Sequence, residues 1–131
     1  MKFYYCKKCG KLATDVNQVD SPLTCCGEEM QVLEADTTDA AVEKHVPEVN
    51  ILDNKIHVVV GSTRHPMDED HYIEMIAVQQ GDNFFAVQRL HPGEEPEATF
   101  VLQEGPIDKD QHGPITVYEF CNLHGLWKTE V

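Results

Sequence analysis

Tyr72-Ile73-Glu74-Met75-Ile76-Ala77-Val78-Gln79 and Phe84-Phe85-Ala86-Val87-Gln88-Arg89-Leu90 flank Gly81-Asp82-Asn83. Two runs rich in β-branched and aromatic residues around such a turn predict a β-hairpin. Outward from it, Ile56 to Val60 is a β-branched run after the turn-like Asp53-Asn54, and Ala98 to Gln103 and Ile115 to Cys121 follow Pro and Gly breaks. No segment has helical periodicity, although Thr38 to Lys44 has room for a helical turn. Short strands with a turn signal about every ten residues predict a mainly β fold, a sandwich over the chain from about residue 37 onward.

The 131-residue chain carries 23 Asp and Glu against 10 Lys and Arg, a formal charge of −13. Phosphate binding relies on concentrated Lys and Arg, so this balance speaks against a nucleic-acid partner. Apolar stretches such as Ile56 to Val60 fall far short of the ~20 residues that span a bilayer, so no membrane span is expected. The opening Met-Lys-Phe-Tyr-Tyr-Cys has neither an apolar signal core nor a small-residue cleavage site, which reads as a cytoplasmic protein.

Five Cys and seven His make metal binding the first functional question. An odd number of cysteines without an export signal argues against a disulfide framework, and a bond between the adjacent Cys25 and Cys26 would be strained. Residues 1 to about 36 hold four cysteines and no histidine; the remainder holds all seven histidines and Cys121. A segment of ~36 residues cannot bury enough apolar surface to fold unaided, and one metal held by four thiolates would meet that need. Cys6-Lys7-Lys8-Cys9-Gly10 and Cys25-Cys26-Gly27 form two knuckles, each with a Gly after the last Cys that permits a tight turn. Four soft anionic ligands suit tetrahedral iron or zinc alike.

In the longer region, Glu43-Lys44-His45-Val46-Pro47, His65-Pro66-Met67, His71-Tyr72-Ile73 and Cys121-Asn122-Leu123-His124-Gly125-Leu126-Trp127 draw attention. Singly they are weak, since a lone His is more often a hydrogen-bonded side chain and a lone buried Cys a small hydrophobe. Cys121 and His124, however, stand three residues apart across an expected strand-ending turn, a chelating separation.

Taken together, these segments resemble the signature segments of the desulfoferrodoxin family of two-iron superoxide reductases, and the leading knuckles resemble that family's desulforedoxin-like domain. The resemblance runs in order from Cys6 to Trp127. It implies a small rubredoxin/desulforedoxin-like metal domain over residues 1–36, followed by an immunoglobulin-like β-sandwich over residues 37–131. It further implies two iron ions per chain, with zinc able to substitute. Cys6, Cys9, Cys25 and Cys26 would hold the first; His45, His65, His71 and His124 would be equatorial and Cys121 axial on the second. Glu43 and Lys44 match the family's mobile pair beside the open position of that iron, and Glu43 is implied as its ligand in the oxidised state. The implied activity is one-electron reduction of superoxide to hydrogen peroxide, fed by a rubredoxin-like donor, in a homodimer. His57, His91 and His112 fall outside the motifs and are read as structural or exposed.

The charge balance then constrains the chemistry, because superoxide is an anion and only six basic residues serve the region after residue 36 against 17 acidic ones. Lys44, adjoining His45, is the candidate for local attraction. Pro47 and Pro66 restrict the backbone beside ligands, and Trp127 and Tyr118 are read as packing around the site. Asp68-Glu69-Asp70 and Glu94-Glu95-Glu97 are read as solvated surface. Two other readings stand beside the reductase. One is a non-enzymatic electron carrier or zinc-stabilised binding module using the four-cysteine site alone; the other is a superoxide dismutase.

Overall fold

The structure, a computed structural model, describes all 131 residues. The chain forms two compact units, Met1–Glu34 and Ala35–Val131. Asp36 belongs to the second: its N–H donates to the Leu126 carbonyl, and its Oδ1 accepts from the Lys128 N–H.

The first unit has five short strands, β1 (Phe3–Tyr5), β2 (Leu12–Thr14), β3 (Thr24–Cys25), β4 (Glu28–Glu29) and β5 (Gln31–Val32). A three-stranded sheet runs in the order β2-β1-β5, and β3 pairs with β4 as a two-stranded ribbon. One buried cluster holds Tyr4, Cys6 and Met30, with Ala13, Leu23 and Cys25 packed against it, and Phe3 is buried besides. So small a core is what the length and composition of this segment predict, and it leaves the fold dependent on a cross-link.

The second unit begins with one helical turn, α1 (Val42–His45), which starts within the expected Thr38 to Lys44 and runs one residue past it to His45. The strands that follow are β6 (Pro47–Leu52), β7 (Lys55–Val60), β8 (Ile73–Gln80), β9 (Phe84–Arg89) and β10 (Glu97–Val101). A second turn, α2 (Lys109–His112), precedes β11 (Ile115–Cys121) and β12 (Gly125–Glu130). A three-stranded antiparallel sheet, β10-β7-β6, and a four-stranded one, β12-β11-β8-β9, make a sandwich of the immunoglobulin-like kind. Ile56, Val58 and Val60 of β7 meet Ile73, Ile76 and Val78 of β8 and Ile115, Val117 and Cys121 of β11 in one core cluster. The β8–β9 hairpin forms with Gln80 opposite Phe84 and Met75 opposite Arg89. Strand β10 ends two residues before the expected Gln103, because Leu102 turns inward, buried, and donates its N–H to the Asn54 carbonyl.

Register decides where the chemistry can sit. Pro47 pairs with Val60, Cys121 with Ile73, and Cys121 also with Gly125. These pairs mark the same end of five strands, so the segments just beyond them converge. The residues two before Pro47, five after Val60, two before Ile73 and one before Gly125 are all histidines.

Candidate metal centres

In the first unit, the Cys6 carbonyl accepts from the Gly10 N–H at 2.8 Å and the Cys6 N–H donates to Lys11 at 2.9 Å, closing the first knuckle. Cys25 and Cys26 turn between β3 and β4, and both knuckle glycines, Gly10 and Gly27, sit at φ +78°, a conformation that disfavours any side chain. The four sulfurs of Cys6, Cys9, Cys25 and Cys26 lie within 4.8 Å of one another. Cys9–Cys25 and Cys25–Cys26 sulfurs are 3.7 and 3.8 Å apart, and all four cysteines are free. A tetrahedron with ~2.3 Å metal–sulfur bonds has edges of about 3.8 Å, so the set fits one ion. Backbone N–H groups of Cys9 and Lys8 lower the Cys6 thiol to about 7, whereas hydrogen bonding to Cys9, Cys25 and Cys6 pushes Cys26 up to about 12. Four thiols so close cannot all ionise without a cation among them.

The second group is built at the strand ends. His45 closes α1, and its Nδ1 is 2.7 Å from the Ala41 carbonyl, one turn back. His65 lies in the turn after β7, with Nδ1 2.7 Å from the Pro66 carbonyl. Both rings thereby spend Nδ1 on a backbone acceptor and present Nε2 inward, the two Nε2 atoms standing 3.2 Å apart. His71 is fixed by reciprocal backbone bonds with Asp68, and its buried Nε2 has no hydrogen-bond partner. His124, in the β11–β12 turn, instead points Nδ1 inward, 3.1 Å from His45 Nε2 and 3.9 Å from Cys121 Sγ.

The four imidazoles close a ring. His45–His65, His65–His71, His71–His124 and His124–His45 centroids are 4.7, 4.7, 5.1 and 4.9 Å apart, each pair edge-on at 75–85°. With Cys121 Sγ, their ligand atoms lie within 4.8 Å of one another. Three imidazoles offering Nε2 and one offering Nδ1, one of the four an orphaned buried nitrogen, are a donor set with no use for one another, and a cation at the centre would satisfy all of them. Burial lowers the His45 pKa, with the Lys44 charge a smaller contribution, and lowers His65 to about 4. Both rings are therefore neutral at pH 7, as ligands must be. Burial also pushes the Cys121 thiol up to about 11, a preference that a metal cation reverses.

Around this group the structure adds residues that sequence reading did not single out. Asn122 accepts from the Tyr72 N–H at 2.9 Å and donates to the Asp70 carbonyl at 3.0 Å, so one side chain holds both flanks of His71 beside Cys121. Its position between two predicted ligands was the only available signal. Glu119 is fully buried with neither carboxylate oxygen hydrogen-bonded, and burial raises its pKa well above the usual range. The shift favours the neutral acid, the form that adds no negative charge near Cys121. Glu43 and Lys44 are exposed on the turn that carries His45. Arg64 and Lys128 are engaged by Glu95, Glu97 and Glu130, whereas Lys44 has no carboxylate partner. His57 bonds to Thr99, His91 to Glu94, and His112 is exposed at the end of α2; none joins either group.

The family model described as Desulfoferrodoxin matches residues 37–130. A desulfoferrodoxin of Syntrophotalea carbinolica is 40% identical over 130 residues, covering 99% of this chain and 96% of that one. A superoxide reductase of Pyrococcus furiosus is 33% identical over 113 residues, covering 68% of this chain and 87% of that one. Among solved structures, the superoxide reductase from Treponema pallidum superposes with a TM-score of 0.74 at 30% identity, covering 98% of this chain and 99% of that one.

Proposed function

The chain belongs to the desulfoferrodoxin family, and from that premise we propose that it is a superoxide reductase, giving superoxide one electron and two protons to form hydrogen peroxide. The observation that carries this reading is the closed ring of four imidazoles with Cys121 at the end of the sandwich. An iron ion held there would supply one-electron redox chemistry. His45, His65, His71 and His124 would hold it through uncharged imidazole nitrogens, leaving the charge of the ion uncancelled. Cys121, fully buried in the apolar core, would be its thiolate ligand. A thiolate donates electron density to the metal that the imidazoles do not. Lys44 attracts the anionic substrate to an otherwise acidic region, and Glu43, beside it, supplies a carboxylate that can ligate the oxidised metal.

Cys6, Cys9, Cys25 and Cys26 would hold a second iron in the first unit, a desulforedoxin-like domain ahead of the catalytic sandwich. A one-electron donor of the rubredoxin type returns the electron spent on each superoxide. Five free cysteines favour a reducing, cytoplasmic setting. The small core of the first unit favours a homodimer, in which a second copy would cover it.

Metal analysis with an assay in excess reductant tests the reading. Two irons per chain and one peroxide formed for each superoxide consumed are expected; one peroxide for two superoxides would make the protein a dismutase. Zinc in both sites of active protein would overturn the proposal.

A further inference from the structure

The carbonyl of Glu43 is an orphan by sequence. In a helix it would accept from the N–H four residues on, but residue 47 is proline and has none. The partner comes from elsewhere: the Thr63 N–H donates to it at 2.9 Å and the Ser62 hydroxyl at 3.2 Å. Just before them, Gly61 adopts φ +77°, and a Cβ there would stand 2.4 Å from the Glu43 oxygen, 2.6 Å from the Lys44 carbonyl carbon and 2.7 Å from the Lys44 Cα. Real side chains do not approach backbone so closely, so glycine is required for contact as well as conformation. The same turn is closed by the His65 N–H donating to the Val60 carbonyl at 3.0 Å.

We propose that the turn Gly61–Thr63 is a clamp on the Glu43–Lys44 peptide, with Gly61 a positioning residue that sets where the Lys44 cation and Glu43 carboxylate stand. The proposal rests on the reading of the site as a superoxide reductase centre. One turn then serves two purposes: it carries His65, and it grips the backbone next to His45. Two hydrogen bonds and a glycine contact thus fix the stretch of main chain from which the Glu43 and Lys44 side chains extend.

The test uses the iron-loaded full chain as wild type, G61A, S62A, K44A and G61A/K44A, reading the second-order rate with superoxide and the exchange rate of the Thr63 amide hydrogen. G61A should keep its iron and react about threefold more slowly, a loss no larger than that of K44A, because misplacing the cation costs at most what removing it costs. The double variant should be no slower than K44A alone, because Gly61 acts through Lys44. Thr63 exchange should quicken in S62A by about fivefold, the factor that accompanies loss of one hydrogen bond, and by more in G61A. A double variant slowed by the full product of the single effects would overturn the clamp, as would unchanged Thr63 exchange in G61A. Should G61A fail to hold iron, S62A decides: unchanged rate and unchanged exchange refute the proposal. Wild-type protein inert toward superoxide refutes the functional reading instead, and Thr63 exchange still decides whether the clamp exists.

Discussion

The indole of Trp127 stacks on the imidazole of His45, with ring centroids 5.0 Å apart and planes 25° from parallel. Its Nε1–H donates to the His124 carbonyl at 3.0 Å, so one side chain braces two of the proposed ligands. Trp127→Ala should lower stability by about 3–5 kcal/mol, the cost of emptying a buried aromatic site. Trp127→Phe, which keeps a ring and loses the donor, should cost about 1 kcal/mol and alter the optical spectrum of the iron-loaded protein. Urea unfolding checks the first pair of values; an alanine variant as stable as wild type would show that the stack carries no packing energy.

The residues able to bind metal were legible because chelation imposes spacing: paired cysteine knuckles, and Cys121 three residues before His124. Their supports were not. Asn122 and Gly61 act on segments distant in sequence, and their roles exist only once β7, β8 and β11 are in register. The central strands announced themselves by continuous apolar runs, whereas β6 opens on Pro47 and carries Glu48 and Asn50, the polar signature of an edge. Strand β12 was hidden because it begins at the glycine of the turn that holds His124.

Replacing Cys121 by serine keeps nearly the same shape and removes the only thiol of the second group. The thiolate-to-iron absorption band should vanish and turnover should fall, while the optical signature of the four-cysteine iron persists. A surviving band would mean that Cys121 is not the ligand.

Lys44→Ala should slow the reaction with superoxide about three- to tenfold at low ionic strength, with iron still bound, because it removes a cation with no carboxylate partner beside His45. The gap between variant and wild type should narrow as salt is raised, since screening at physiological ionic strength acts beyond ~8 Å. Stopped-flow rates across a salt series measure this, and coincident curves would remove Lys44 from substrate capture.

Cys26→Ser should reduce the metal content from two ions per chain to one and loosen the first unit, whose buried cluster is Tyr4, Cys6 and Met30. The sandwich, with its own core from Ile56 to Cys121, should keep its metal and its unfolding transition. Metal analysis and circular dichroism melting read both effects. Joint collapse of the two transitions would show that the sandwich depends on the first ion.

The two ligand sets differ in how far apart along the chain they lie. Cys6 and Cys25 are 19 residues apart, whereas His45 and His124 are separated by 79. Closing a short loop is fast and costs little entropy, while long-range closure must wait for the strands that carry its ends. The cysteine site can therefore assemble on a nascent chain before the sandwich has been synthesised. The histidine ring exists only once β11 has docked against β8, so its donor set cannot be complete before the sandwich is.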